Sequence, residues 1–217
     1  MSIKNKVLAG AAAASVIVGG VGIAAATANA HTPSCGHRCV NIHSLQWGRN
    51  NPIDSYKQRS SVGNKIILFR KNTSDPGQDF TISAQGTVAD FFALGLVSPQ
   101  VQLHYANDTA YEVQYSPFGR DSGLCVGVGT TARNGTPVTL QTCGVSSKTL
   151  WIRDTANGRR GYTPLINGSD TNFSNPYVLT YAGNAAPTDM PRPGLFTWHL
   201  STFSRGQVDS TQLWTGL

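Results

Sequence analysis

The sequence predicts an all-β fold made of three four-stranded units, and three observations predict it. Charged residues are only 13% of the chain, whereas Gly (23) and Pro (11) are abundant, a composition that suits short strands joined by tight turns. Runs of alternating apolar residues, separated by glycine, proline or asparagine turns, recur in one order three times. Each set closes on an aromatic: Phe80, Trp151 or Trp214.

Residues 1–30 stand apart from this pattern. A lysine-bearing start, an Ala/Val/Gly-rich stretch and an A-N-A site ending at Ala30 read as a secretory signal peptide. The rest, 31–217, is expected to be one secreted, extracellular domain beginning at His31. No other run approaches the roughly 20 apolar residues that a membrane span needs, so no membrane insertion is expected.

The first unit, about residues 40–83, supplies the strands "VNIHSLQWG", "NPIDSYKQ", "VGNKIILFRK" and "GQDFTIS". The second, about 110–154, supplies "AYEVQYSPFG", "GLCVGVG", "TPVTLQT" and a strand ending in "TLWI". The third, about 161–217, repeats the order with "YTPLING", "NPYVLTYAG", "PGLFTWHLS" and "STQLWTGL". Alternation places every second side chain on one face. Ile66 with Leu68, Val138 with Leu140, and Phe196 with Trp198 are therefore expected to point inward from equivalent third strands. Three such units sharing inner aromatics and aliphatics make a β-trefoil. Between the first and second units lies an insertion, about 84–109, longer than a connection requires. Its apolar segment 88–97 suggests a helical turn packed on the barrel, followed by a strand from Val101 to Tyr105.

Four cysteines in an exported chain make two disulfides, and sequence alone permits three pairings. Local pairing, Cys35 with Cys39 and Cys125 with Cys143, is the expectation. The segment "HTPSCGHRCVNIH" also gathers His31, His37 and His43 around the first pair. Its spacing is not that of a common zinc knuckle, and an oxidising compartment turns neighbouring thiols into disulfides, so no metal site is expected. This segment precedes the first strand and reads as an exposed, covalently stiffened tail able to dock on another protein.

The stretch "GLCVGVGTTARNGTPVTLQTCGVSSKTLWI", in which Cys125 and Cys143 flank a Gly-Thr-Pro hairpin turn, resembles the ricin B-type β-trefoil lectins. Units of that family carry a closing Q-x-W motif and often an internal disulfide. Here Trp214 ends an intact "QLW", Phe80 ends "QDF" and Trp151 ends "TLW", as in a secreted bacterial member with degenerate repeats. The resemblance implies a sugar site in each unit. An aspartate on the second strand accepts from neighbouring hydroxyls, an aromatic at the end of the third strand stacks on the sugar, and amides near Q-x-W complete the polar side. Carried over, the first unit offers Asp54, Phe69 and Gln78, with Gly77 in place of an asparagine. The second has Gly127, Gln141, Lys148 and Thr149 where those groups belong. The third has Thr180 for the aspartate, His199 for the aromatic, and Gln212, forming a weaker second site.

Other chemistry is not signalled. Neither a nucleophile elbow, an H-E-x-x-H motif nor a P-loop occurs, and "GVGTTARNG" joins two strands rather than a strand and a helix. The sole glutamate, Glu112, lies in "YEVQY", where alternation makes it an outward strand residue as readily as an acid catalyst. No catalytic residue and no cofactor are expected. The whole-chain charge of +6 is scattered, without the run of five or six like charges that marks a nucleic-acid-binding segment. The expected function is non-catalytic carbohydrate binding through the first repeat. The alternative is a protein-binding adaptor in a secreted assembly, antibacterial or toxin-associated, whose partner is a protein rather than a glycan.

Overall fold

The computed structural model describes residues 31–181, 193–203 and 206–217; the signal-peptide reading of residues 1–30 falls outside them. Among the described residues twelve strands occur in the expected order. The first four are β1 (His43–Ser44), β2 (Ile53–Ser55), β3 (Ile66–Leu68) and β4 (Phe80–Thr87). The next are β5 (Thr109–Tyr115), β6 (Leu124–Val128), β7 (Thr136–Thr142) and β8 (Leu150–Arg153). The last are β9 (Leu165–Asn167), β10 (Tyr177–Tyr181), β11 (Leu195–His199) and β12 (Trp214–Thr215).

The outer strands of the three sets close a ring. β1 pairs with β12, β8 with both β5 and β9, and β4 with β5. A bridge between Thr163 and Trp214 joins β12 to the approach to β9, and a bridge between Cys39 and Thr81 joins β4 to the approach to β1. The remaining strands form three hairpins, β2–β3, β6–β7 and β10–β11. These hairpins touch one another through Lys65 with Thr139, Ile67 with Gly194, and the β7–β11 pairing at Thr136 and Pro137. The result is a barrel-like sheet capped by three hairpins. Phe80, Trp151 and Trp214 are buried where the ring meets the cap, among Ile66, Leu68 and Leu140. A buried indole needs a partner for its N–H. Trp151 Nε1 donates to the Val126 carbonyl at 2.9 Å, and Trp214 Nε1 donates to the Leu179 carbonyl at 2.8 Å. Each therefore pins the first strand of the hairpin in its own repeat.

The third hairpin corrects the expected facing. Thr180 lies opposite Phe196, as Asp54 lies opposite Ile67 and Gly127 opposite Thr139. Leu195 and Thr197 are therefore the buried pair equivalent to Ile66 and Leu68, while Phe196 is half-buried and Trp198 is exposed. "LFTWH" has bulky apolar residues at both parities, so alternation alone does not set its phase, and a one-residue slip exchanges the faces.

The insertion also departs from expectation. β4 and β5 pair from Phe80–Tyr115 out to Thr87–Thr109, past the expected strand ends. Two short helices, α1 (Val88–Ala93) and α2 (Pro99–Tyr105), ride on the end of that ladder. The strand expected over Val101 to Tyr105 is helix. Ser98 caps it by accepting from Val101 N at 3.2 Å, and Pro99 occupies the first turn, where its missing N–H costs nothing. The alternation of Val101, Leu103 and Tyr105 is incidental, since Leu103 is 77% exposed while Val101 is buried. Thr87 and Asp90 form a capping box on α1. Val88, Phe91 and Val101 pack in a second cluster with Leu150, Ile152 and Ile166.

Both disulfides are local, Cys35–Cys39 and Cys125–Cys143. The first closes an exposed loop, but the segment that carries it is not a free tail. Thr32 donates to both carboxylate oxygens of Asp79, through N and Oγ1, each at 2.7 Å, and Phe118 N adds a third bond at 2.8 Å. Gly119, at φ +72°, lies so close to Ser34 that a Cβ would stand 2.4 Å from its carbonyl oxygen. The amino-terminal segment is thus docked on its own chain. The second disulfide closes a loop of sequence separation 18. Replacing Cys125 and Cys143 by Ser should lower unfolding stability by about 3 kcal/mol, read as a lower denaturant midpoint together with a steeper slope, because the freed unfolded chain exposes more surface.

Candidate functional site

The first-repeat residues come together around a short turn. Asp75 caps the 3-10 turn Pro76–Gln78 by accepting from Gly77 N at 2.8 Å, which aims Gln78 between strands. Gln78 Nε2 donates to Asp54 Oδ2 at 3.2 Å and to the Arg70 carbonyl at 2.9 Å, while its Oε1 accepts from Asn72 N at 3.0 Å. Asp54 is 3% and Gln78 2% exposed. Both therefore stand behind the surface, and half-buried Phe69 is the member of the trio nearest solvent. Gly77 has a local reason: a Cβ there would lie 2.9 Å from Asp54 Oδ1 and from Asp75 Oδ1.

The third repeat reproduces the arrangement. Asp209 caps the turn Ser210–Gln212, accepting from Thr211 N at 2.9 Å. Gln212 Nε2 donates to Thr180 Oγ1 at 3.1 Å and to the His199 carbonyl at 2.9 Å, and Oε1 accepts from Ser201 N at 2.7 Å. The place equivalent to Phe69 belongs to Trp198, not His199, by the same one-residue slip that exchanged the strand faces. Trp198 is 38% exposed and lies edge-on to Phe196, with ring centroids 6.0 Å apart. His199 instead turns its N and Nδ1 to Asn134 Oδ1, at 2.8 and 3.0 Å.

The second repeat is built differently. A Cβ on Gly127 would stand 2.7 Å from the Lys148 carbonyl oxygen, so no aspartate fits that position. Thr149, which replaces the glutamine, donates to Glu112 Oε1 at 2.7 Å. Glu112 is not outward. It is buried and accepts further bonds from Val145 N at 2.8 Å and Ser83 Oγ at 2.9 Å, which anchors the chain beyond Cys143. Gln141 Nε2 bonds Thr139 Oγ1 at 2.6 Å. His31, Cys39 and Asp79 gather within 4.8 Å, but the sulfur is in a disulfide and the carboxylate already accepts three bonds.

Sequence reasoning missed one feature. A cleft of about 370 Å³ opens between the insertion and three turns of the barrel, lined by Leu96, Ser98, Thr131, Ser147, Lys148 and Asp170. Asp170 is 1% exposed; Oδ1 accepts from Asn172 N at 3.0 Å, and Oδ2 forms no hydrogen bond among the described residues. Burial pushes its carboxyl above the ordinary value of 3.8, offset in part by the N–H groups of Asn172, Tyr177 and Thr171. No sequence signal points to it, because "NGSDT" reads as any polar turn.

No family model matches the sequence, and no curated protein matches it. Solved structures do match. A designed 3-fold symmetric protein, ThreeFoil, aligns with a TM-score of 0.53 at 14% identity, over 81% of this chain and 95% of that one. A mosquitocidal holotoxin aligns with a TM-score of 0.50 at 14% identity, over 81% of this chain but 16% of the toxin. A Polyporus squamosus lectin, solved with a human-type influenza-binding epitope, aligns at 0.49 and 12% identity, over 83% of this chain and 48% of that one. At such identities the likeness concerns the fold alone. The fold is all-β and barrel-like, with β-trefoil neighbours.

Protonation of Asp170 is linked to stability. A carboxyl with a raised folded pKa contributes stability that is full below the ordinary value of 3.8 and is lost as pH rises through the folded value. Asp170→Asn should therefore gain stability relative to the parent at about pH 7, with the gain shrinking as pH falls through the raised folded value and gone below 3.8. Thermal melts of the two proteins across that range measure it.

Proposed function

We propose that the chain is a secreted β-trefoil of three four-stranded repeats, with its insertion between the first and second, and that it acts as a non-catalytic module recognising carbohydrate. The observation that carries this reading is the repeated aromatic. Phe69 and Trp198 occupy one register position on two hairpins, each two residues beyond the partner of the second-strand site and beside a buried glutamine that fixes the turn. A partly exposed ring held at a fixed height offers its face to the apolar side of a sugar, and nearby polar groups replace the water that its hydroxyls lose. The first repeat, with Asp54 and Gln78 behind Phe69, is the primary site. The third, with Trp198, Gln212 and the adjoining His199, is the second. The second repeat has no part in it, since Gly127 excludes the acid.

One observation favours the alternative adaptor function. Phe92, Leu94 and Leu103 are exposed on the inserted helices, an apolar surface that suits a protein partner better than a sugar. A glycan array separates the two. Under the carbohydrate reading, Phe69→Ala or Trp198→Ala lowers the affinity of the repeat concerned by about tenfold. An empty array, together with an exported protein whose co-purification is lost in Leu94→Ser/Leu103→Ser, assigns the adaptor function instead.

A further inference from the structure

The first repeat differs from the rest of the molecule in its charge. Between residues 40 and 83 it carries Arg49, Lys57, Arg59, Lys65, Arg70 and Lys71, against the acids Asp54, Asp75 and Asp79. All three acids are at most 8% exposed and accept from internal donors: Gln78 Nε2, Gly77 N, and Thr32 with Phe118 N, respectively. Arg49, Lys57, Arg59 and Arg70 are exposed, while Lys65 and Lys71 are half-buried. The surface of this repeat is thus positive although its composition looks mixed. The insertion, residues 84–109, holds Asp90 and Asp108 and no lysine or arginine.

The cations are grouped around the aromatics. Phe69 N donates to the Pro52 carbonyl at 3.1 Å and Lys71 N to the Asn50 carbonyl at 2.9 Å. This pairing lays residues 69–71 beside 50–52 and brings Arg49, Arg70 and Lys71 to the edge that carries Phe69. At the other end of the hairpin, Lys57 Nζ and Lys65 Nζ both lie over the Tyr56 ring, 5.3 and 4.3 Å from its centroid. Two ammonium groups are thereby gathered at one aromatic ring.

We infer that the first repeat selects an acidic sugar, a glycan bearing carboxylate or sulfate groups. Phe69 meets the ring and Arg70 with Lys71 meets the anion; Arg supplies the paired donors that match planar or tetrahedral oxyanions. This rests on the carbohydrate reading above and narrows it. Two groups of cations, each beside a half-buried ring, fit the spaced charges of a polysaccharide. Nucleic acid calls for a continuous basic stripe along its phosphates.

Binding of the exported protein to immobilised heparin, polygalacturonate and neutral dextran tests it. Heparin or polygalacturonate should bind, with affinity falling steeply between about 0.01 and about 0.15 M salt as the screening length drops from about 30 to about 8 Å. Arg70→Ser/Lys71→Ser should weaken that binding about tenfold. The charge-preserving Arg70→Lys/Lys71→Arg should retain most of it, and Arg133→Ser on the second repeat should leave it unchanged. If a neutral glycan is lost with Phe69→Ala but unaffected by Arg70→Ser/Lys71→Ser, the charge inference falls and the carbohydrate reading stands. Equal competition by single-stranded DNA or poly-glutamate also overturns the inference, since it shows charge recognition without sugar. Absence of any glycan binding overturns both.

Discussion

The burial of one aromatic at the start of each closing strand is the constraint on which the other features of this molecule depend. Phe80, Trp151 and Trp214 fill the space where the strand ring meets the hairpin cap. For the two tryptophans, the indole N–H has to find an acceptor inside the protein, because an unmade bond there costs about 1–3 kcal/mol. The acceptor in both is the carbonyl at the middle of the repeat's second strand, at Val126 or Leu179. One side chain thereby fills the core and sets the height of the hairpin above it. Phe80 fills the equivalent place without a donor, so in the first repeat the tie rests on Gln78.

That glutamine is more a structural than an exposed ligand group. In the first and third repeats its amide spans the second strand and the exit of the third, and its carbonyl takes a backbone N–H from the following loop. The outward aromatic is held in place as a consequence. In the second repeat the same position is Thr149, and the holding role passes to buried Glu112 and to the Cys125–Cys143 disulfide. Stability and surface chemistry are thus exchanged repeat by repeat: where the disulfide and Glu112 brace the hairpin, the aromatic and the acid are absent.

Charge follows the same division. The acids of the first repeat are spent on internal order, Asp75 on a turn, Asp54 on the glutamine and Asp79 on docking the amino-terminal segment. Their burial leaves the lysines and arginines to set the local field, although a weakly basic, scattered composition conceals this until burial is known. Asp170 shows the opposite case, a buried carboxylate oxygen beneath the insertion without a donor among the described residues.

The order of the strands, the closing aromatics and the local disulfides were legible in the sequence. Each rests on a demand made within a few residues: alternation for a half-buried strand, punctuation by Gly and Pro, and short loop closure between cysteines. The meeting of Asp54 with Gln78 followed from the family resemblance. What the sequence left open needed contacts from distant parts of the chain. "LFTWH" and "VQLHY" each carry apolar residues in a pattern that permits more than one arrangement. Pairing with β10 and β7 set the phase of the first and made Trp198, not His199, the outward ring; the Ser98 cap and the packing of Val101 made the second a helix. Docking of Thr32 on Asp79, the inward turn of Glu112 and the positive face of the first repeat likewise depend on which groups lie opposite one another in the closed barrel. Local pattern determines which elements form, and only tertiary packing decides which side of each meets solvent.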